Sequence, residues 1–386
     1  MTTFLLLWLL GLVLAVSGVW LFALSAGEKP CPPATPHVAV VVAVKGHGRD
    51  FDAFLDGLFD QAYPFYRVIF AVESKDDAAV PAIEARRAQT PDQVELVVAG
   101  PASDEGQKTT NLRAALARVR PSDDVLVLAD ADIRLERDWL QHLVAPLVTR
   151  RADVTTGFPW LVLADRRWSS FALASMAAGV ATIPRLPFLN AAWGGSTAMW
   201  RERFDALGIA SAWRGTLSDD LQLTNVVQKA SGRILAPREL LLRTSVTTEG
   251  FDDLAAHVRR WYLLVRLHMP VTYWIMVAAT TFLGLGWLLA IFGTLFGRAD
   301  AFAALVLALL FGVLRAGARA LLVTRLWGRQ GLEENLPFLL ADPVLAPLAT
   351  VLHAGLAWSV LSMRNTTWSG VTYEIAGPQQ VKVLAR

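Results

Sequence analysis

Asp130 and Asp132 stand on either side of Ala131, where the apolar run Asp124–Ala129 (DVLVLA) gives out. Alternate residues of an extended chain point the same way, so both carboxylates can face one ligand. Hard oxygen donors of this kind suit Mg²⁺ or Mn²⁺ beside phosphate oxygens. The competing reading is a solvated turn, where Asp is common. Ser218-Asp219-Asp220 precedes the helical stretch Leu221–Ala230. Ser is a good N-cap there, and acids in a first turn complement the helix dipole. Alternatively, one of these carboxylates is a general base at a domain edge. His257-Val258-Arg259-Arg260-Trp261 lies just before an apolar block. It reads as an interfacial anchor, with Arg snorkelling and Trp in the headgroup belt, or as a cationic clamp on a diphosphate with Trp as a pocket wall. Lys108 and Asn111, in GQKTTN at 106–111, either meet a phosphate or ribose or simply open a helix. Neither GxxxxGK[ST] nor GxGxxG occurs, so neither of those loops is the phosphate grip.

These residues need elements to hold them. His37–Val44, Tyr66–Val72, Val94–Ala99 and Asp124–Ala129 are apolar, largely β-branched runs, as expected of buried strands. Helical spacing follows in Asp52–Gln61, Ala78–Ala88 and Thr109–Val119. Strands alternating with helices predict an α/β domain with a mostly parallel sheet covered on both faces. Ligands of such sheets bind at the carboxyl ends of the strands. That singles out Lys45, Glu73 to Asp77, and Asp130 to Asp132.

The 386 residues are 54% hydrophobic and 18% charged, too apolar for an ordinary soluble protein and unlike a disordered chain. The net charge of +2 aims no strong field at an acidic polymer, so no nucleic-acid partner is expected. The single cysteine, Cys31, excludes an internal disulfide framework. Phe4–Leu24 is long enough to cross a bilayer. Lys29, Lys45 and Arg49 follow it, which predicts a cytoplasmic location for the bulk of the chain. A cleaved signal peptide is the rival, but it calls for a basic start and a shorter apolar core. Val271–Phe296 and Ala301–Val323 are further spanning candidates. Arg315 and Arg319, on one helical face, are expected near the interface or facing protein or lipid phosphate. Leu336–Met363 carries three prolines and Asp342, and is expected to be re-entrant. The domain plan is an N-terminal transmembrane helix (1–27), a Pro-rich linker (28–36), a catalytic domain (37–255), an interfacial helix with the Arg-Trp box (256–270), and a membrane region of two or three helices with a short tail (271–386).

Taken together, these pieces resemble a membrane-bound family 2 glycosyltransferase and, more closely, the ceramide glucosyltransferase family, family 21, over roughly residues 37–275. The family's D…D…D…(Q/R)xxRW pattern falls on Asp77, Asp130, Asp220 and the box ending Arg260-Trp261. Its Lys-Gly matches Lys45-Gly46, its Lys and Asn match Lys108 and Asn111, and Gly194-Gly195-Ser196 is similar to the family 2 loop beneath the acceptor. The box begins with His257 where the family has Gln or Arg. The family's His before the Gly-rich stretch has no counterpart in 181–193, which leaves the acceptor open among ceramide, diacylglycerol, a hopanoid or another lipid.

The resemblance implies a GT-A fold, Rossmann-like, and inverting transfer of a hexose, with glucose from UDP-glucose the family expectation, onto a lipid hydroxyl. Glu73 and Asp77 would meet the uracil and ribose, and Lys45, Lys108, Asn111 and His257 would also line the donor site. Asp130 and Asp132 would hold Mg²⁺ or Mn²⁺. Arg260 and Trp261 would serve the leaving group, and Asp220, beside Asp219, would be the base. The rivals are a processive polysaccharide synthase and a non-catalytic membrane scaffold or transporter. An Arg- and Ala-rich, Lys-poor composition points to a GC-rich bacterium and its inner membrane.

Overall fold

The computed structural model describes residues 1–25, 27, 34–183 and 190–386. Most of the Pro30–Pro36 linker, and part of the 181–193 segment, lie outside the described residues. The chain opens with helix α1 (Thr2–Leu24). There follow β1 (Val38–Ala43), α2 (Phe51–Phe59), β2 (Tyr66–Val72), α3 (Val80–Gln89), β3 (Val94–Val98), α4 (Gln107–Leu116) and β4 (Val125–Asp130). Next come β5 (Ile133–Arg134), α5 (Trp139–Val148), β6 (Val154–Thr156), β7 (Phe158–Leu163) and α6 (Trp168–Ala181). The domain closes with β8 (Ser196–Trp200), α7 (Arg201–Ala206), α8 (Ile209–Ala212), α9 (Asp219–Lys229), β9 (Ile234–Leu235) and β10 (Leu241–Val246).

Seven strands form one sheet in the order β3-β2-β1-β4-β8-β6-β9. The β3-β2-β1-β4 half is parallel, and β8 runs antiparallel to both β4 and β6. Central β1 reads VAVVVA because both of its faces are covered. Val38, Val40 and Val42 join Phe54, Leu58 and Phe70 on one side. Ala39 and Val41 join Ile69, Leu112 and Ile234 on the other. A smaller sheet, β5-β10-β7, flanks this layer.

The remaining helices are α10 (Phe251–His268), α11 (Pro270–Leu295) and α12 (Ala299–Ser359). Among the described residues three helices, α1, α11 and α12, are long and apolar enough to cross a membrane. Gly328 breaks α12 with φ 64° and ψ −156°. The part after the break folds back on the part before it, since a Cβ at Gly312 would stand 3.3 Å from Pro343 Cα. Near its start Trp160 donates to Asn335 at 2.8 Å, and near its end Tyr273 donates to Ala357 O at 2.9 Å. Arg315 and Arg319 face protein: both donate to Asp342 Oδ2, at 3.0 and 2.7 Å, and Ser175 of α6 donates to Asp342 Oδ1.

Two boundaries differ from the sequence reading. The box helix begins at Phe251, five residues before the expected 256, because Gly250 at φ 152° stops the preceding chain. The expected short tail is instead a three-stranded antiparallel sheet: β11 (Asn365–Trp368), β12 (Val371–Gly377) and β13 (Gln380–Ala385). Its apolar face, Val371, Tyr373, Ile375 and Val381, is buried with Leu217 and Leu263 of the α/β domain and α10.

Candidate active site

The carboxyl ends of β1, β2 and β4 form one rim, and two polar groups gather there. At the β1–β2 end, Lys45 Nζ lies 3.1 Å from Glu73 Oε2. Gly46, at φ +74°, donates its N–H to both oxygens of Asp77 at 3.0 Å. Asp77 Oδ1 also accepts from Ala79 N at 2.9 Å, so this carboxylate holds two turns together. A fifth of the Glu73 side chain is exposed at this end of the rim.

The second group centres on Lys108, in the first turn of α4. Its Nζ lies 2.6 Å from Asp130 Oδ1 at the end of β4 and 3.5 Å from Asp219 Oδ1 at the start of α9. Burial opposes the charge on Lys108, but Asp130, Asp219 and Asp220 outweigh it and hold the ammonium above the ordinary lysine value. Asp219 is 1% exposed and its Oδ2 has no hydrogen-bond partner. Burial raises its carboxyl to about 7, with Lys108 pulling down and Asp220 and Asp130 pushing up.

Asp220 is half-buried beside it. Its Oδ1 accepts from Leu221 N at 2.8 Å and from the Ser218 hydroxyl at 2.5 Å, and its Oδ2 accepts from Gly194 N at 3.2 Å. Ser218 caps α9, its side chain accepting from Leu221 N. The helix-start reading of Ser218-Asp219-Asp220 is thus what the hydrogen bonds show, and Asp220 keeps a partly open side chain beside that cap. Gly195 O accepts from Asp130 N at 3.2 Å, which seats the Gly194-Gly195 loop against the β4 end.

Asp132 remains exposed at this rim. Protein crowding raises its carboxyl to about 6, and the charge of Asp130 adds to the rise. Two carboxylates this near each other at a strand end offer hard oxygen donors that suit a divalent cation. Among the described residues no three His, Cys, Asp or Glu side chains surround one point, so phosphate oxygens and water would complete such a shell.

Other expected residues stand elsewhere. Asn111 is 2% exposed; its Nδ2 donates to Val44 O and Ala71 O, at 3.4 and 3.2 Å, and its Oδ1 accepts from Gln107. It ties β1 to β2 from within and presents nothing to a nucleotide. His257 Nδ1 lies 3.0 Å from Asp253 O, one turn back on α10. Arg260 sits over the Trp368 ring of β11, 5.4 Å from its centroid. Burial lowers this guanidinium to about 10 against the charge of Asp253. Trp261 packs among α6, α11 and α12 with Ala172, Tyr262 and Val277. The box thus braces the domain against the C-terminal sheet and the membrane helices.

Sequence reasoning missed Gln107, His268 and Arg386. Gln107 Oε1 accepts from Ala102 N at 2.8 Å and from Arg386 at 3.1 Å. His268 ends α10, is 6% exposed, and its carbonyl accepts from Asn225 of α9 at 2.9 Å. No local spacing marks His268 or Arg386, whose partners come from distant parts of the chain, and the tie between Gln107 and Arg386 is equally distant.

The family model described as glycosyl transferase family 21 matches residues 3–381. No curated protein matches the chain. Among solved structures, the mannosyltransferase PcManGT from Pyrobaculum calidifontis, in complex with GDP-Man and Mn²⁺, is 18% identical, with a TM-score of 0.46 over 88% of this chain and 98% of that one. TarS 1–349 from S. aureus, in complex with UDP-GlcNAc, is 10% identical, with a TM-score of 0.40 over 90% of this chain and 99% of that one. The α/β domain, with its parallel half-sheet and antiparallel β8, has the GT-A architecture.

Proposed function

The chain belongs to glycosyltransferase family 21, and from that premise we propose that it moves one hexose from a nucleotide diphosphate sugar onto a membrane-lipid hydroxyl, inverting the anomeric carbon. The supporting observation is the gathering of Asp130, Lys108, Asp219 and Asp220 at one strand-end rim. The same rim is tied to the membrane side. Asn225 of α9 holds the last carbonyl of α10, two residues before α11 begins.

Glu73 and Lys45 receive the nucleoside. Asp130 and Asp132 hold Mg²⁺ or Mn²⁺, which when bound offsets the charge that builds on the diphosphate leaving group. Lys108 keeps Asp130 and Asp219 in place. Asp220 is the base: it is the accessible member of its pair, whereas Asp219 is enclosed. As the acceptor oxygen bonds to the anomeric carbon, the bond from that carbon to the phosphate oxygen breaks. The acceptor's proton passes to Asp220. UDP-glucose is the donor of choice, and the acceptor is a lipid whose hydroxyl reaches the interface. The catalytic domain faces the cytoplasm of a bacterial inner membrane, where charged Lys29, Lys45 and Arg49 follow the first apolar segment.

The test incubates purified membranes with a panel of labelled UDP-sugars and total lipid, with and without EDTA. Mass spectrometry then identifies the product. A lipid carrying one hexose, formed only with metal, is expected. A polymeric product, or no labelled lipid with any donor, overturns the proposal.

A further inference from the structure

The C-terminal sheet is docked on the donor side of the rim. Val383 N–H donates to Ser103 O at 2.9 Å, and Gln107 N–H donates to the Tyr373 oxygen at 3.2 Å. Gln379 Nε2 donates to Ala212 O at 2.9 Å, and a Cβ on Gly215 would stand 2.5 Å from Gln379 O. The docking sets Arg386, just beyond β13, against three structures at once. Its guanidinium pairs with Glu73 Oε1, donates to Gln107 Oε1 at 3.1 Å, and donates to Ala102 O at 2.5 Å. The other Glu73 oxygen already belongs to Lys45.

Glu73 is therefore held at both oxygens by two cations, one from the first β–α turn and one from beyond the last strand. A carboxylate on a long side chain gains a fixed orientation from such a grip, and a planar guanidinium supplies it better than an ammonium. Arg386 is only partly covered, with 32% of its side chain exposed, so the grip borders open space rather than core.

We infer that Arg386 is a positioning residue for the donor's nucleoside: it orients Glu73 and joins the C-terminal sheet to the nucleoside end of the site. The inference rests on the functional reading above, with Glu73 as the nucleoside acceptor. It predicts a defect confined to donor binding.

The experiment uses the full chain in detergent or nanodiscs. UDP and GDP are titrated by calorimetry with Mn²⁺ present, and steady-state rates are measured with the matching nucleotide-glucose. R386A is expected to weaken nucleotide binding and raise the donor KM about tenfold, while kcat stays within about threefold and the lipid KM is unchanged. R386K keeps the charge but loses the fork, and recovers only part of the loss. In an E73Q background, R386A has little further effect, because the two residues act through one contact. An unchanged donor KM in R386A, even with a lowered melting temperature, would mean a merely structural role and overturn the inference. A lowered donor KM would overturn it too, since Arg386 would then block the site. Wild-type protein that binds neither nucleotide defeats the functional reading and this inference with it. Wild-type binding that R386A leaves intact defeats this inference alone.

Discussion

Gly194 and Asp219 approach so closely that a Cβ at 194 would stand 2.6 Å from Asp219 Oδ2 and 2.7 Å from Lys108 Nζ. Glycine at 194 is thus what lets the buried acid and the lysine share one space below the rim. G194A must push Asp219, Lys108 or the loop aside. A displacement near 1 Å in a site of this kind lowers turnover about 100-fold. Initial rates of labelled-sugar transfer check this, with calorimetric nucleotide binding showing that the donor end survives.

The two neighbouring acids separate by role. D220N keeps donor binding but loses about 10²–10⁴ in kcat, the usual effect of removing a general base. D219N acts indirectly, by removing a charge from beside Lys108. It is expected to shift donor KM and kcat together. Measuring both parameters for both variants decides the assignment, and unimpaired turnover in D220N would remove it as the base.

Metal removal is the third test. EDTA is expected to abolish transfer, and added Mn²⁺ or Mg²⁺ to restore it. D132N removes one carboxylate from the rim. Changes in or around a metal site commonly lower affinity about 10–100-fold. The metal concentration giving half-maximal activity should rise accordingly in D132N. Equal activity in EDTA and in Mn²⁺ would argue against the carboxylate pair as a metal site.

What the sequence discloses here follows from how local each signal is. The β1, β2 and β4 strands are short apolar runs buried on both faces, so composition alone marks them, and the acids just past them follow from sheet topology. The box could not be read in this way. Its spacing puts Arg260 and Trp261 on α10, but their partners, Trp368 and Val277, come from strands and helices with no local relation to it. The C-terminal sheet was equally hidden. β12 alternates buried and half-buried or exposed positions, which gives no long apolar run, and its covering partners Leu217 and Leu263 lie more than 100 residues earlier.

Asn111 makes the same point as an experiment. Its amide answers carbonyls of β1 and β2 and the Gln107 side chain, all buried. N111A takes the side-chain donor from Val44 O, while Ala71 O keeps the Val44 N–H and Gln107 keeps Gly100 O, and it is expected to destabilise the fold by about 1–3 kcal/mol. Urea unfolding in detergent measures this. Any protein that remains folded should show a nearly normal donor KM, the opposite of what a nucleotide ligand would give.

His268 provides a pH-dependent handle on the link between α9 and the membrane helices. Burial lowers its imidazole to about 4, although the charge of Asp220 nearby pulls the other way. The unfolded chain takes up this proton near pH 6.5, while the native state resists it until about 4. Between those values the unfolded state binds more protons, so stability rises with pH there. The contribution is complete above pH 6.5 and is lost as pH falls toward 4, about 3 kcal/mol in all. H268Q cannot titrate. Carboxylates elsewhere act alike on both proteins, so the stability gap between wild type and H268Q isolates the imidazole. Unfolding at pH 7.5, 6 and 5 should show that gap shifting steadily against wild type as acid is added. A gap that stays constant over that range would show that the imidazole takes up its proton equally in both states.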